Sequence, residues 1–188
     1  IMFMYIFPLL LLIIILLIIA STLYVVRQQT VVIIERFGKY QATVSSGIHI
    51  RMPFGIDRIA ARIQLRMLQS ELIVETKTND NVFVTLNIAT QYRVNEQNVM
   101  DAYYKLMRPE EQIKSYIEDA LRSSVPKLTL DELFEKKDEI ALEVQKQVAE
   151  EMSTYGYIIV KTLITKVEPD AEVKQSMNEI NAAQRKRV

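Results

Sequence analysis

The sequence predicts an α+β fold: an N-terminal transmembrane helix, an antiparallel sheet with packed helices, and a last helix that leaves the domain. Three observations carry this expectation. The chain opens with IMFMYIFPLLLLIIILLIIA and meets no charge before Arg27. Residues 82–94 alternate between apolar and polar with a period of two. From Asn95 onward the apolar period lengthens to that of helices, with Pro109, Thr129 and Gly156 as start and stop signals. The expected boundaries are residues 1–26 for the membrane helix, 27–94 for a membrane-proximal β-rich part, 95–170 for an α/β part and 171–188 for the start of a long helix.

The apolar run comes first. Leu9 to Ile19 are eleven consecutive Leu and Ile residues, which together favour bilayer insertion by about 3 to 7 kcal/mol. A helix from Pro8 to Val26 would rise roughly 28 Å, close to the hydrocarbon thickness of about 30 Å. Pro8 suits the helix start, where its missing N–H costs nothing. A cleavable signal peptide competes, but it would have a basic flank, a shorter apolar core and a better cleavage site than Ala20-Ser21-Thr22. A buried core helix fits less well, because a helix apolar on every face is rare in so small a soluble domain. Tyr5 and Tyr24 bracket the run as an aromatic belt.

Charge sets the expected orientation. Between Ser21 and Ser70 stand Arg27, Arg36, Lys39, Arg51, Arg58, Arg62 and Arg66 against Glu35 and Asp57, a net of +5, whereas no charged side chain precedes the run. The positive-inside rule puts the C-terminal part in the cytoplasm, with Arg27, Arg36 and Lys39 near enough to count. The same basic layer could rest on anionic headgroups or be an ordinary solvated face. The 188 residues balance to zero net charge, so residues 71–188 carry the compensating −5. Cys is absent, which excludes disulfides, thiolate catalysis and zinc–thiolate sites.

Along the chain, Thr30 to Glu35 reads as a strand with Tyr40 to Val44 as its hairpin partner across Gly38. Ile48, Ile50, Met52 and Phe54 alternate with His49, Arg51 and Pro53, a short strand or loop whose apolar edge either dips into the bilayer interface or packs on the domain. Arg62 to Glu75 holds another strand pattern, clearest from Leu72 to Thr76. After the turn Asn79-Asp80-Asn81, Val82, Val84, Leu86, Ile88, Thr90, Tyr92 and Val94 share the expected buried face of a long strand. Asn95 to Met107 reads as a short helix with Val99, Tyr103 and Leu106. Pro109 then opens a second helix, which buries Ile113, Ile117, Ala120 and Leu121 and is closed by Val125-Pro126. Thr129-Leu130-Asp131-Glu132 is a capping box for one longer helix through Met152, ending at Gly156. Tyr157 to Val167 is a strand, and Pro169-Asp170 starts the last helix, with Val173, Met177 and Ile180 as its stripe. That helix meets no stop before Val188 and the chain begins with Ile1, so a longer native chain is expected.

Several strings, in order, resemble the SPFH or band-7 proteins, the group of stomatin, prohibitin and flotillin. They are ERFGKY (residues 35–40), SGIHIRMPF (46–54), ETKTNDNVFV (75–84) and LDELFEKKDEI (130–140). AYYKL, SVPKL, YGY, VEPD and MNEINAA look especially like the hypersensitive-induced-reaction branch and its bacterial relatives. The resemblance covers residues from about Val26 to Val188. It implies SPFH subdomains at residues 27–94 and 95–170 and a coiled coil that follows them. It also implies a membrane-anchored, non-enzymatic homo-oligomer, a ring or cage, that organises a membrane microdomain in a bacterial plasma membrane. The alternative it implies is a regulatory subunit enclosing a membrane AAA+ protease or channel, with the bilayer, a membrane protease or an NfeD-type protein as partners.

The residues suggest no competing chemistry, so no catalytic, cofactor-binding or metal site is expected. His49 is the lone His and has no carboxylate close by in sequence. Ser45-Ser46-Gly47 reads as a turn, since His49 stands too near in an extended segment to serve Ser as base. The acidic pairs Glu110-Glu111, Glu118-Asp119 and Glu150-Glu151 lack a neighbouring His and read as solvated helix faces. Glycines only at 38, 47, 55 and 156 rule out GxGxxG and P-loop motifs. Asp80 lacks the continuation of a calcium loop. Arg185-Lys186-Arg187 in a neutral chain makes a poor nucleic-acid contact.

Overall fold

The structure, a computed structural model, describes the backbone of residues 2–185 and the side chains of residues 6–180 and 182. Helix α1 (Met2–Thr22) leads into strand β1 (Leu23–Val26), followed by β2 (Thr30–Arg36), β3 (Lys39–Val44), β4 (Gly47–Ile50), β5 (Asp57–Gln64), β6 (Leu68–Lys77) and β7 (Phe83–Val94). Helices α2 (Val99–Tyr104), α3 (Pro109–Ser124), α4 (Leu130–Glu135) and α5 (Lys137–Ser153) come next. Then follow β8 (Tyr157–Pro169) and α6 (Ala171–Arg185). All strand pairs are antiparallel and form three sheets: the ribbon β1-β4, the sheet β3-β2-β5 and the sheet β6-β7-β8. The α+β expectation holds.

The transmembrane part of that expectation does not. Among the described residues no helix is long and apolar enough to cross a membrane, so the single-pass assignment of residues 1–26 is overturned, and the N-out, C-in orientation goes with it. The cause is visible at the end of the run. Leu23 to Val26, which the expected span needed for its last turn, pair with Ile50 to Gly47 as β1. Hydropathy alone cannot tell an apolar strand from the end of an apolar helix.

The main core forms where β7 lies centrally between β6 and β8, with α3 and α5 packed on one face. Val84, Leu86, Ile88, Thr90, Tyr92 and Val94 are all buried there, while their neighbours on β7 face outward, as the alternation predicts. Thr90, polar at a core position, is satisfied by Thr162 of β8, hydroxyl to hydroxyl at 3.2 Å. Strand β2 is buried on both faces. Val31 and Ile33 enter the main core, while Val32 and Ile34 join Val26 in a second, small one. Its unbroken run TVVIIE follows from that double burial.

Other elements depart from the expected boundaries for local reasons. The single strand pattern over 62–75 is two strands, β5 and β6, in different sheets, separated at Leu65–Met67. The single helix expected from Leu130 is two, because Lys136 leaves helical geometry at φ −103°, ψ 12°. Glu135-Lys136-Lys137-Asp138-Glu139 offers no apolar side chain at the positions three and four after Leu133, so no buried stripe holds the two helices in line. The capping box is present. Glu132 N–H donates to Thr129 Oγ1, and Thr129 N–H donates to the Glu132 carboxylate at 2.9 Å. Helix α3 keeps its expected start and its buried stripe Ile113, Ile117, Ala120 and Leu121.

Candidate membrane-facing surface

Strand pairing builds the surface that sets this molecule apart. Register places Leu23 opposite Ile50 and Val25 opposite Ile48. Because strand side chains alternate, these four share one face of the ribbon. All four are solvent-exposed, by 50, 77, 62 and 74 % in that order. The other face carries Tyr24 and His49, whose rings lie 5.9 Å apart, and Tyr24 packs on the small core. Tyr24 is therefore a packing residue rather than the belt residue expected from sequence; the side chain of Tyr5 lies outside the described residues. Phe54 in the turn after β4 is 82 % exposed. Helix α1, which runs directly into β1, exposes its Leu and Ile side chains nearly all round. Ribbon and helix thus present a joined apolar surface far larger than scattered surface residues would give, of the kind that marks a membrane or protein contact.

The basic residues do not form one layer. Arg27 precedes β2, whereas Lys39 follows it, so the strand's length of about 20 Å separates them. Arg36 is committed to Asp57, with Nε 2.8 Å from Oδ1 and Nη2 3.2 Å from Oδ2. Asp57 also accepts the Met52 N–H at 2.9 Å, and together these hold its carboxyl below the usual range, the Arg36 hydrogen bond first. Counting charges along the sequence missed this pair because its members are 21 positions apart.

A tyrosine clasp joins α2 to the sheet β3-β2-β5. Tyr104 Oη donates to Glu35 Oε1 at 2.6 Å, Tyr103 Oη donates to the Ala60 carbonyl at 3.4 Å, and the Tyr40 ring stands edge-on to Tyr104. Desolvation, followed by the Glu35 hydrogen bond, pushes the Tyr104 hydroxyl up to about 12. Of the apolar residues noted on this helix from sequence, Val99 is buried, together with Ala102, while Tyr103 is 39 % exposed.

The residues weighed for chemistry stay apart. His49 Nε2 lies 2.8 Å from the Ser45 carbonyl, which can only accept, so the imidazole closes its own turn. Asp80 is more than a turn residue. It is bonded to Thr78 and accepts the Leu130 N–H at 3.2 and 3.3 Å, adding a second cap to α4 from 50 positions away. Among the described residues no group of three or more His, Asp or Glu is placed to hold a metal. Arg185-Lys186-Arg187 falls at or beyond the limit of the described residues.

Glu168, between Lys166 at 2.6 Å and Lys174 at 2.9 Å, is held at about 2 by those two ammonium groups. With the Asp170 N–H bond to the Phe83 carbonyl, this triad fixes where α6 leaves the sheet. Val173 and Met177 of α6 pack on the main core, and Ile180 continues the same stripe at 57 % exposure.

Comparison with known proteins bears on this geometry. The profile described as "SPFH domain / Band 7 family" matches residues 24–188. The chain is 41 % identical over 153 residues to hypersensitive-induced response protein 4 of Arabidopsis thaliana, covering 81 % of this chain and 52 % of that protein. It is 25 % identical over 155 residues to an uncharacterized protein of Methanothermobacter thermautotrophicus, at 81 % and 47 % coverage. An uncharacterized protein of Mycobacterium tuberculosis is 27 % identical over 160 residues, at 82 % and 40 %. The chain spans about half the length of these relatives.

Proposed function

Since this chain belongs to the SPFH/band-7 family, whose general role is that of membrane-associated scaffolds, we propose that it is the membrane-side module of a non-enzymatic homo-oligomeric scaffold that organises a membrane microdomain. The observation that carries this reading is the exposed apolar face of Leu23, Val25, Ile48 and Ile50 joined to α1. Left in water, that surface is costly at roughly 25 cal/mol per Å²; against lipid it becomes the attachment. The apolar stripe of α6 supports assembly. Val173, Met177 and Ile180 follow the four-then-three spacing of helices that pair, and the stripe outlasts its contact with the domain. Many copies, each weakly attached, hold a membrane patch by avidity.

Electron microscopy and light scattering of the protein, extracted from its membrane fraction in mild detergent, test the reading. Closed rings or cages of many copies are expected; monomers would overturn it. A membrane protease recovered in stoichiometric amount with the assembly would move the role toward enclosing and regulating that enzyme. A peptidase or esterase rate that falls on His49→Ala would refute the non-enzymatic assignment.

A further inference from the structure

Where β1 gives way to β2, Val25, Arg27, Thr30, Arg62 and Gln64 line an open cavity of about 600 Å³. Its polar groups are donors. Thr30 and Gln64 are paired across β2 and β5, and Arg62 stands two residues before Gln64 on the same strand. The Gln64 Oε1 accepts from Arg66 Nη2 at 2.7 Å, which leaves the amide NH₂ as the group Gln64 can offer. Among the described residues neither Arg27 nor Arg62 takes part in an ion pair. The two carboxylates of the basic segment are engaged elsewhere, Asp57 with Arg36 and Glu35 with Tyr104.

Two guanidinium groups, an amide NH₂ and a hydroxyl around one concavity, with no carboxylate in its lining, select an anion with several acceptor oxygens. Guanidinium forks match phosphate oxygens two at a time. Val25 lines this cavity and also belongs to the apolar ribbon face. The occupant must therefore be anionic at one end and apolar at the other.

We propose that Arg27 and Arg62 bind the headgroup phosphate of an anionic phospholipid whose acyl chains lie along Leu23, Val25, Ile48 and Ile50. The site deepens the membrane-associated reading and rests on it. It gives the scaffold a lipid preference that general surface charge would not, because the bound phosphate is tied to two named side chains.

The test compares partitioning onto phosphatidylcholine vesicles with and without phosphatidic acid, using the whole chain. The ratio of the two affinities cancels the apolar contribution. The wild type is expected to favour the anionic vesicles, and R27Q and R62Q each to lower that ratio about fivefold, given roughly 1 kcal/mol per basic residue at the surface. K39Q, about 13 Å from Arg62 and about 20 Å from Arg27 along β2 and so beyond the screening length of about 8 Å, leaves the ratio unchanged. Vesicle binding whose ratio is untouched in R27Q and R62Q, or lowered equally by K39Q, would overturn the site while leaving membrane association intact. Titration with sn-glycerol 3-phosphate, followed by the Gln64 side-chain amide resonances, separates the remaining case. A wild type that ignores both vesicles yet binds glycerol 3-phosphate through Arg62 would overturn the lipid assignment and the membrane reading together, and leave a pocket for a soluble phosphate ester.

Discussion

At Asp57 the fold places a carboxylate that is only 8 % exposed against a guanidinium and a backbone N–H. Asp57→Asn keeps the shape but leaves Arg36 without its counter-charge and turns an amide NH₂ toward donors. A loss of about 1 to 3 kcal/mol is expected at neutral pH, seen as a melting temperature lower by roughly 2 to 4 °C per kcal/mol. The pH dependence has a definite sign. The folded state holds the Asp57 carboxyl below the ordinary 3.8, so its contribution is present above that value and is lost as the pH falls from there through the lower folded-state value. The gap in melting temperature between wild type and variant should narrow as the pH is taken down to about 3. A gap that stays constant over that window would remove Asp57 from the pair's energetics.

Among the elements, legibility follows how each one is buried. Strand β7 could be read residue by residue because one face meets the main core and the other meets solvent, so burial and hydropathy share a period. Strand β2 shows only that it is apolar; which side chains go to which core depends on two partners that the local sequence does not name. Strand β1 is hidden inside a longer apolar run and is exposed by its pairing with β4 alone. The stop at Gly156 was legible as a left-handed position, and its φ is +77°. What the sequence does not show is the close approach behind it. A Cβ there would stand 2.4 Å from the Asn98 carbonyl oxygen, just before α2, and 3.1 Å from the Ala102 nitrogen within it, both backbone atoms. Gly156→Ala therefore strains its own backbone and pushes α2 away from the turn that joins α5 to β8. The expected cost is upwards of about 2 kcal/mol, measurable by urea denaturation. An alanine variant as stable as wild type would mean that α2 is free to move away.

For the whole molecule, the features that bear on function are juxtapositions of distant residues. Leu23 meets Ile50, Glu35 meets Tyr104, and Asp80 meets Leu130. None of these has a local signal, so the sequence offered an apolar edge at Ile48 and Ile50 with two readings, interface or packing. Exposure of 74 and 77 % removes packing among the described residues. If the ribbon lies on lipid, immersion must follow its two-residue period. The chain has no Cys, so Ile48→Cys, His49→Cys and Ile50→Cys variants each take a single nitroxide label. On adding phosphatidylcholine vesicles, labels at 48 and 50 should gain collisions with oxygen and lose them with a water-soluble nickel chelate. The label at 49, on the face that carries Tyr24 and the small core, should change little. Ile48 and Ile50 are exposed, so their substitution should shift stability by no more than about 0.5 kcal/mol; His49→Cys gives up the bond to the Ser45 carbonyl and should cost about 1 kcal/mol, and an altered circular dichroism spectrum would identify a disturbed fold. Equal changes at all three positions would mean that the segment melts on the bilayer. No change at 48 and 50, with vesicles still bound, would give attachment to α1 alone and leave the ribbon's apolar face for a protein contact.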